Sequence, residues 1–208
     1  MRKLLFPAAG ALLLLLTGCS EAPPPTAAKK EPEKPPDPVT GQTALFRMYG
    51  MARTWGSDAQ VLKMVSQNLS EVPGVPRGKA AAWEAIFVSA NRSQARTYTY
   101  SIIEIQPTLH KGSFAGPEQG WSGPRGNTAP FLMAAVKVDT DAAYETALKN
   151  GGAEYDKKFP GKPISILLEK NSKFPSPVWR IIWGESLGTS NFSVFVDAST
   201  GEFKEKMH

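Results

Sequence analysis

The 208-residue chain has one cysteine, Cys19, and two histidines, His110 and His208, set 98 positions apart. Beyond residue 19 no disulfide can form, so whatever folds there is held by packing alone. The same scarcity excludes a zinc site of the usual thiolate and imidazole spacing. No pair of carboxylates stands apart from a solvated surface either, so neither a metal nor another cofactor is expected. Runs of lysine or arginine are missing too. From Gly41 onward nineteen basic residues face fifteen acidic ones, a balance of +4, which is a mildly basic, solvated surface and not the footprint of a nucleic-acid partner.

What the chain does carry begins at its N-terminus. Arg2 and Lys3 precede an apolar stretch, Leu4 to Thr17, which is too short to cross a bilayer comfortably and closes on Leu16-Thr17-Gly18-Cys19. The pattern resembles the signal peptide of bacterial lipoproteins. That resemblance implies that residues 1–18 are removed and that Cys19 becomes the lipidated first residue, with the membrane as its partner. Each buried methylene contributes ~0.8 kcal/mol, so two or three acyl chains hold such a protein almost permanently. Ser20 stands where an aspartate would favour the inner membrane of a Gram-negative host, which points to the outer membrane, facing the periplasm. Residues 19–40 then form a tether. Between 21 and 40 lie seven prolines among alanine, lysine and glutamate, a semi-rigid segment that could reach roughly 60 Å at ~3.1 Å per residue.

The remaining 168 residues contain a repeat. Trp83-Glu84-Ala85-Ile86-Phe87 and Trp179-Arg180-Ile181-Ile182-Trp183 share one pattern 96 positions apart, and at the same offset Thr97 to Ser101 matches Ser193 to Asp197. Each pair reads as strand, turn, strand, with Trp83, Ala85 and Phe87 on one face and Trp179, Ile181 and Trp183 on its equivalent. Such a face requires a cover. Leu45, Met48, Tyr49, Ala52 and Trp55 fall at helical spacing between Gly41 and Gly56. Thr140 and Asp141 start a second helix with Ala143, Tyr144, Ala147 and Leu148 on one side and Gly151 at its end. Val61–Val65, which could also continue a helix, and Pro163–Lys170 supply one more strand each. The expectation is an α+β fold in which antiparallel sheets are each covered by a helix, as two α-β-β-β modules over residues 41–106 and 131–208.

The second module closes on Val194-Phe195-Val196-Asp197-Ala198-Ser199-Thr200-Gly201-Glu202-Phe203. Here Asp197 and Thr200 can bond turn backbone, Gly201 can take a positive φ, and Phe203 starts the return strand. These residues resemble the closing signature of the PepSY family, a small α-β-β-β domain. The resemblance spans about Asp141 to Lys204 and, more weakly, Leu45 to Ile105, where the aspartate and glycine turn is missing. It implies a non-catalytic module that binds an envelope protein or peptide and restrains a peptidase.

Residues 107–130 hold five glycines and four prolines and read as a linker loop. Within it Trp121, flanked by Gly120 and Ser122, is a candidate partner contact together with Arg125, although a tryptophan can equally pin its own loop. Phe131–Val138 alternates as a further strand.

Two motifs suggest chemistry and fail on context. Gly184-Glu185-Ser186-Leu187-Gly188 has the spacing of a hydrolase nucleophile elbow, but the segment after it reads as a strand where a helix is needed, and the later acid and histidine could only be Asp197 and His208. Gly74-Val75-Pro76-Arg77-Gly78-Lys79 is one residue short of a phosphate loop, with Ala80 in place of its hydroxyl, and reads as a turn. The expected function remains the one that the two resemblances imply, non-enzymatic binding in the envelope. A structural lipoprotein of a larger envelope complex is the first alternative, and a lipid-tethered hydrolase using Ser186 the second.

Overall fold

The computed structural model describes residues 37–208 apart from Leu187; Cys19 and the tether up to residue 36 lie outside the described residues. The elements run β1 (Val39–Thr40), α1 (Gly41–Trp55), β2 (Gln60–Gln67), β3 (Lys79–Ala80), β4 (Ala82–Ser89), β5 (Gln94–Ser101) and β6 (Gly112–Gly120). They continue with α2 (Thr140–Ala147), α3 (Ala153–Lys158), β7 (Ile164–Glu169), β8 (Val178–Trp183), β9 (Ser193–Asp197) and β10 (Phe203–Met207). The fold is α+β and the sheets are antiparallel, as the alternation implied. The helix-then-three-strands order appears twice, as α1-β2-β4-β5 and α2-β7-β8-β9.

The two halves do not form separate sheets. One eight-stranded sheet runs β10-β9-β8-β7-β2-β4-β5-β6, with a two-stranded β1-β3 sheet beside it. The join is β2 against β7, Lys63 opposite Glu169 and Met64 opposite Leu168. Left apart, each half would expose a row of unpaired backbone groups along its first strand; antiparallel pairing of those strands removes both edges. The halves are thus related by an approximate twofold through the β2-β7 seam.

Both helices cover the same side of this sheet. Ala44, Leu45 and Met48 of α1 and Ala143 and Ala147 of α2 are fully buried in one core with Trp83, Ala85, Phe87, Trp179, Ile181 and Val194. The tryptophans repeat more than their burial. Trp83 Nε1 donates to the carbonyl of Val39 and Trp179 Nε1 to that of Val138, in each case two residues before a helix begins. The helix starts also meet: Gly41 N–H donates to Thr140 Oγ1 at 2.8 Å and Gln42 N–H to Asp139 Oδ1 at 2.9 Å, so the N-cap residue of α2 and the first residue of that helix serve orphan amides of α1.

Three expectations need correction. Residues 112–120, taken as linker, form β6, an edge strand paired with β5; the backbone ladder carries it where glycines offer no side chain to pack. Phe131–Val138 is not a strand: Phe131 makes an isolated bridge to Val61, and Met133–Ala135 is a 3-10 turn. There, backbone bonds from Lys137 and Val138 to the Ala198 carbonyl outweigh the alternating side chains. Gly151 does take a left-handed φ of 109°, but the helix resumes beyond it as α3, because Tyr155 continues the apolar face, stacking on Phe192 with ring centres 4.6 Å apart.

Candidate functional site

Antiparallel pairing of β2 with β7 places the chain leaving β2 beside the chain entering β7. Ile166 N–H donates to Ser66 Oγ at 2.8 Å, and Asn68 and Ser165 side chains meet at 3.4 Å. The loop 68–79 and the turn 161–163 consequently border one cleft of ≈ 390 Å³. Its apolar lining is Leu69, Val72, Val75 and Ile164, which also pack against the core. Its rim carries Arg77, Lys79 and Lys162, and no carboxylate lines it.

The loop is fixed from beneath. Gly78 has φ +82°, and a Cβ there would lie 2.8 Å from Asp141 Cα, so glycine alone lets the loop rest on the start of α2. Thr140 Oγ1 donates to the Gly78 carbonyl, and Lys79 N–H closes a turn onto Pro76 O at 3.1 Å. Arg77 is held by its partner: its guanidinium lies 3.4 Å from Asp156, which also accepts from Trp183 Nε1 at 2.8 Å and Tyr144 OH at 3.3 Å. Half-exposed pairs of this kind contribute ~0 to 1 kcal/mol to stability. The effect here is positional, since Asp156 is itself anchored to the buried Trp183 and in turn orients Arg77 at the mouth of the cleft.

Burial pushes the Tyr144 hydroxyl up to about 12 from 10.0, with the Asp156 charge adding to the rise and Arg77 opposing it. The neutral phenol is thus the form the fold stabilises, and that contribution is lost as pH rises from the unfolded value through the folded one. The melting temperature is expected to fall between pH 10 and pH 12, and to fall less steeply in Tyr144→Phe. Parallel thermal scans of the two proteins check this; identical slopes would contradict it.

The residues singled out from the sequence fall elsewhere. Cys19 is outside the described residues. Trp121 and Arg125 come together, lining a hollow of ≈ 240 Å³ with Leu62, Lys63, Ile86 and Thr128. Trp121 N–H donates to Ser93 O at 2.9 Å, which ties the end of β6 to the start of β5 and leaves the indole half-buried, while Arg125 is exposed and bonds Ser122 Oγ at 3.0 Å. Ser186 sits in the loop joining β8 to β9, its hydroxyl 3.1 Å from Thr189 Oγ1. That strand-loop-strand setting lacks the helix a nucleophile elbow needs. Asp197 is occupied in its turn, accepting from Ser199 and Thr200 N–H at 2.8 and 3.1 Å and from Lys204 Nζ at 3.3 Å, and Gly201 has φ +78°. His208 packs on Phe192. Among the described residues no group of three or more His, Cys, Asp or Glu is placed to hold a metal.

The cleft has no signature in the sequence. The segment Gly74–Lys79 was visible only as a turn, and Lys162 had no signal of its own, nor had Asp156, which orients Arg77; two stretches of chain meet there through a strand pairing that no local pattern announces.

No protein-family profile matches the chain, and no curated protein sequence matches it. Among solved structures, a candidate lipoprotein from Clostridium difficile 630 superposes over 78% of this chain and 91% of its own, at 9% identity and a TM-score of 0.46.

Proposed function

We propose that this chain is a lipid-anchored protein of the bacterial cell envelope whose α+β domain is a non-catalytic binding module for another envelope protein or peptide. The anchor is Cys19, and Ser20 directs it to the outer membrane in a Gram-negative host. In the finer form that the PepSY resemblance of residues 141–204 supports, the bound protein is a peptidase and binding restrains it. No helix among the described residues is long and apolar enough to cross a membrane, and the proline-rich stretch 21–40 suits a tether that presents the domain at a distance from the lipid.

The observation that carries the binding reading is that Trp121 and Arg125 line one hollow together with Leu62 and Ile86. Tryptophan and arginine are the side chains most enriched where binding energy concentrates, and an apolar floor with a cationic rim is a setting in which they act. A photoreactive residue at position 125 of the full-length chain, cross-linked in intact cells and followed by mass spectrometry, tests it. One stoichiometric partner is expected, with the product lost in Trp121→Ala and the palmitate label lost in Cys19→Ser. Undiminished labelling of Cys19→Ser would remove the anchor, and cross-linking indifferent to Trp121 would remove this binding surface. A partner that proves to be an assembly subunit in place of a peptidase would select the structural alternative.

A further inference from the structure

From the cleft between loop 68–79 and turn 161–163 we infer a second binding site, one that receives the C-terminal end of a peptide: its free carboxylate on Lys79, Lys162 and Arg77, and its last, apolar side chain on Leu69, Val72, Val75 and Ile164. The inference rests on reading the domain as a binding module but uses no residue of the Trp121 hollow.

Three observations select this ligand. First, the rim is cationic without compensation: Arg77 alone has a counter-ion, Asp156, while Lys79 and Lys162 make no ion pair among the described residues. A bound anion supplies what they lack, and bonds from ammonium or guanidinium to a carboxylate are the strong class of hydrogen bond. Second, the floor is apolar. A bare anion such as phosphate would satisfy the rim and leave the floor wet, whereas a carboxylate one carbon from an apolar side chain uses both, in a cleft of ≈ 390 Å³ that lies in the range of ligand sites. Third, the site is assembled before anything binds. Gly78 is locked onto α2 by its φ and by Thr140, and Arg77 is oriented through Asp156 by the buried Trp183, so little ordering opposes association. Capture of a terminal carboxylate by fixed loop groups is an established way to read a peptide end.

The domain of residues 37–208 is suitable for the test, since it lies within one compact unit with a single main core. It is titrated calorimetrically with an acetylated tetrapeptide ending in leucine, as the free acid and as the amide. The acid is expected to bind about tenfold tighter or more, because the amide has no charge for the rim. The Lys79→Gln, Lys162→Gln double variant, whose two side chains are exposed and whose melting temperature should be unchanged, is expected to erase that difference, and Trp121→Ala to preserve it. Equal affinity for acid and amide, saturable binding of neither, or a double variant as selective as the parent would overturn the assignment. Inorganic phosphate or phosphatidylglycerol vesicles binding through the same two lysines, with no binding of the peptide acid, would also overturn it in favour of a bare anion or a lipid headgroup. Failure of this experiment leaves the cross-linking test at Trp121 untouched, and failure there leaves this one, so the two sites are separable.

Discussion

Trp83→Ala and Trp179→Ala each lower the melting temperature of the domain steeply, and each does so in a single shared transition. Both indoles are fully buried in one core, and truncating a core tryptophan costs ~3 to 5 kcal/mol out of the ~5 to 15 that stabilise a typical domain. Each substitution also strips a donor from a partly buried carbonyl, Val39 in one half and Val138 in the other, so the chain entering each helix loses one of its ties to the sheet. At roughly 2 to 4 °C per kcal/mol for a domain of this size, the expected drop is about 6 to 20 °C. Calorimetry of the two variants decides how the halves are coupled. Because β2 pairs with β7 and both helices share one core, either change should move the whole unfolding peak. A peak that split in two, with one component unaltered, would show two modules that fold independently.

Gly152→Ala is the second large effect, and it opposes what helix propensity alone suggests. Gly152 has ordinary right-handed backbone angles, φ −62° and ψ −42°, so alanine there should favour the helical backbone by ~1 kcal/mol. Space decides the sign. A Cβ at 152 falls 2.5 Å from two ring carbons of Trp183 and 2.8 Å from the Ala147 carbonyl. The indole has little room to yield, being buried, hydrogen-bonded to Asp156 and packed against Phe192 and Tyr144. Overpacking of this kind costs ~1 to 3 kcal/mol, more where neither side can move, so a net loss of about 2 kcal/mol is expected, against a slight gain for Gly50→Ala in α1. Nothing lies within 4 Å of a Cβ at position 50, which makes that variant the control for propensity without crowding. Equal stability of the two variants by thermal denaturation would show that Trp183 can shift. Displacement of Trp183 would in turn loosen Asp156 and with it Arg77, so Gly152→Ala should also weaken whatever the cleft binds.

Much of the architecture could be read along the chain. The alternation of Trp83-Ala85-Phe87 and Trp179-Ile181-Trp183 identified the covered faces because strand geometry sends successive side chains to opposite sides whatever lies next to the strand. The helical spacing of Leu45 and Met48, and the start at Thr140 and Asp141, identified the covers, since capping and amphipathicity act within one or two turns. The turn around Asp197 and Gly201 was equally local, a carboxylate bonding amides two and three residues ahead of it. All of these are short-range, and short-range chemistry is carried by the residues themselves.

What the tertiary structure alone decided are the neighbours. Alternation says which way Met64 and Leu168 point but not that their strands lie side by side, because the ladder that joins them is made by backbone groups common to every residue. The glycines and proline of 112–120 concealed β6 for the same reason: an edge strand can be held by its partner's backbone with little from its own side chains. The cleft follows from that pairing. Arg77, Lys79 and Lys162 are an ordinary turn and an ordinary surface until β2 and β7 bring their ends together, and only then does Lys162 share one apolar hollow with the two cations of the 68–79 loop.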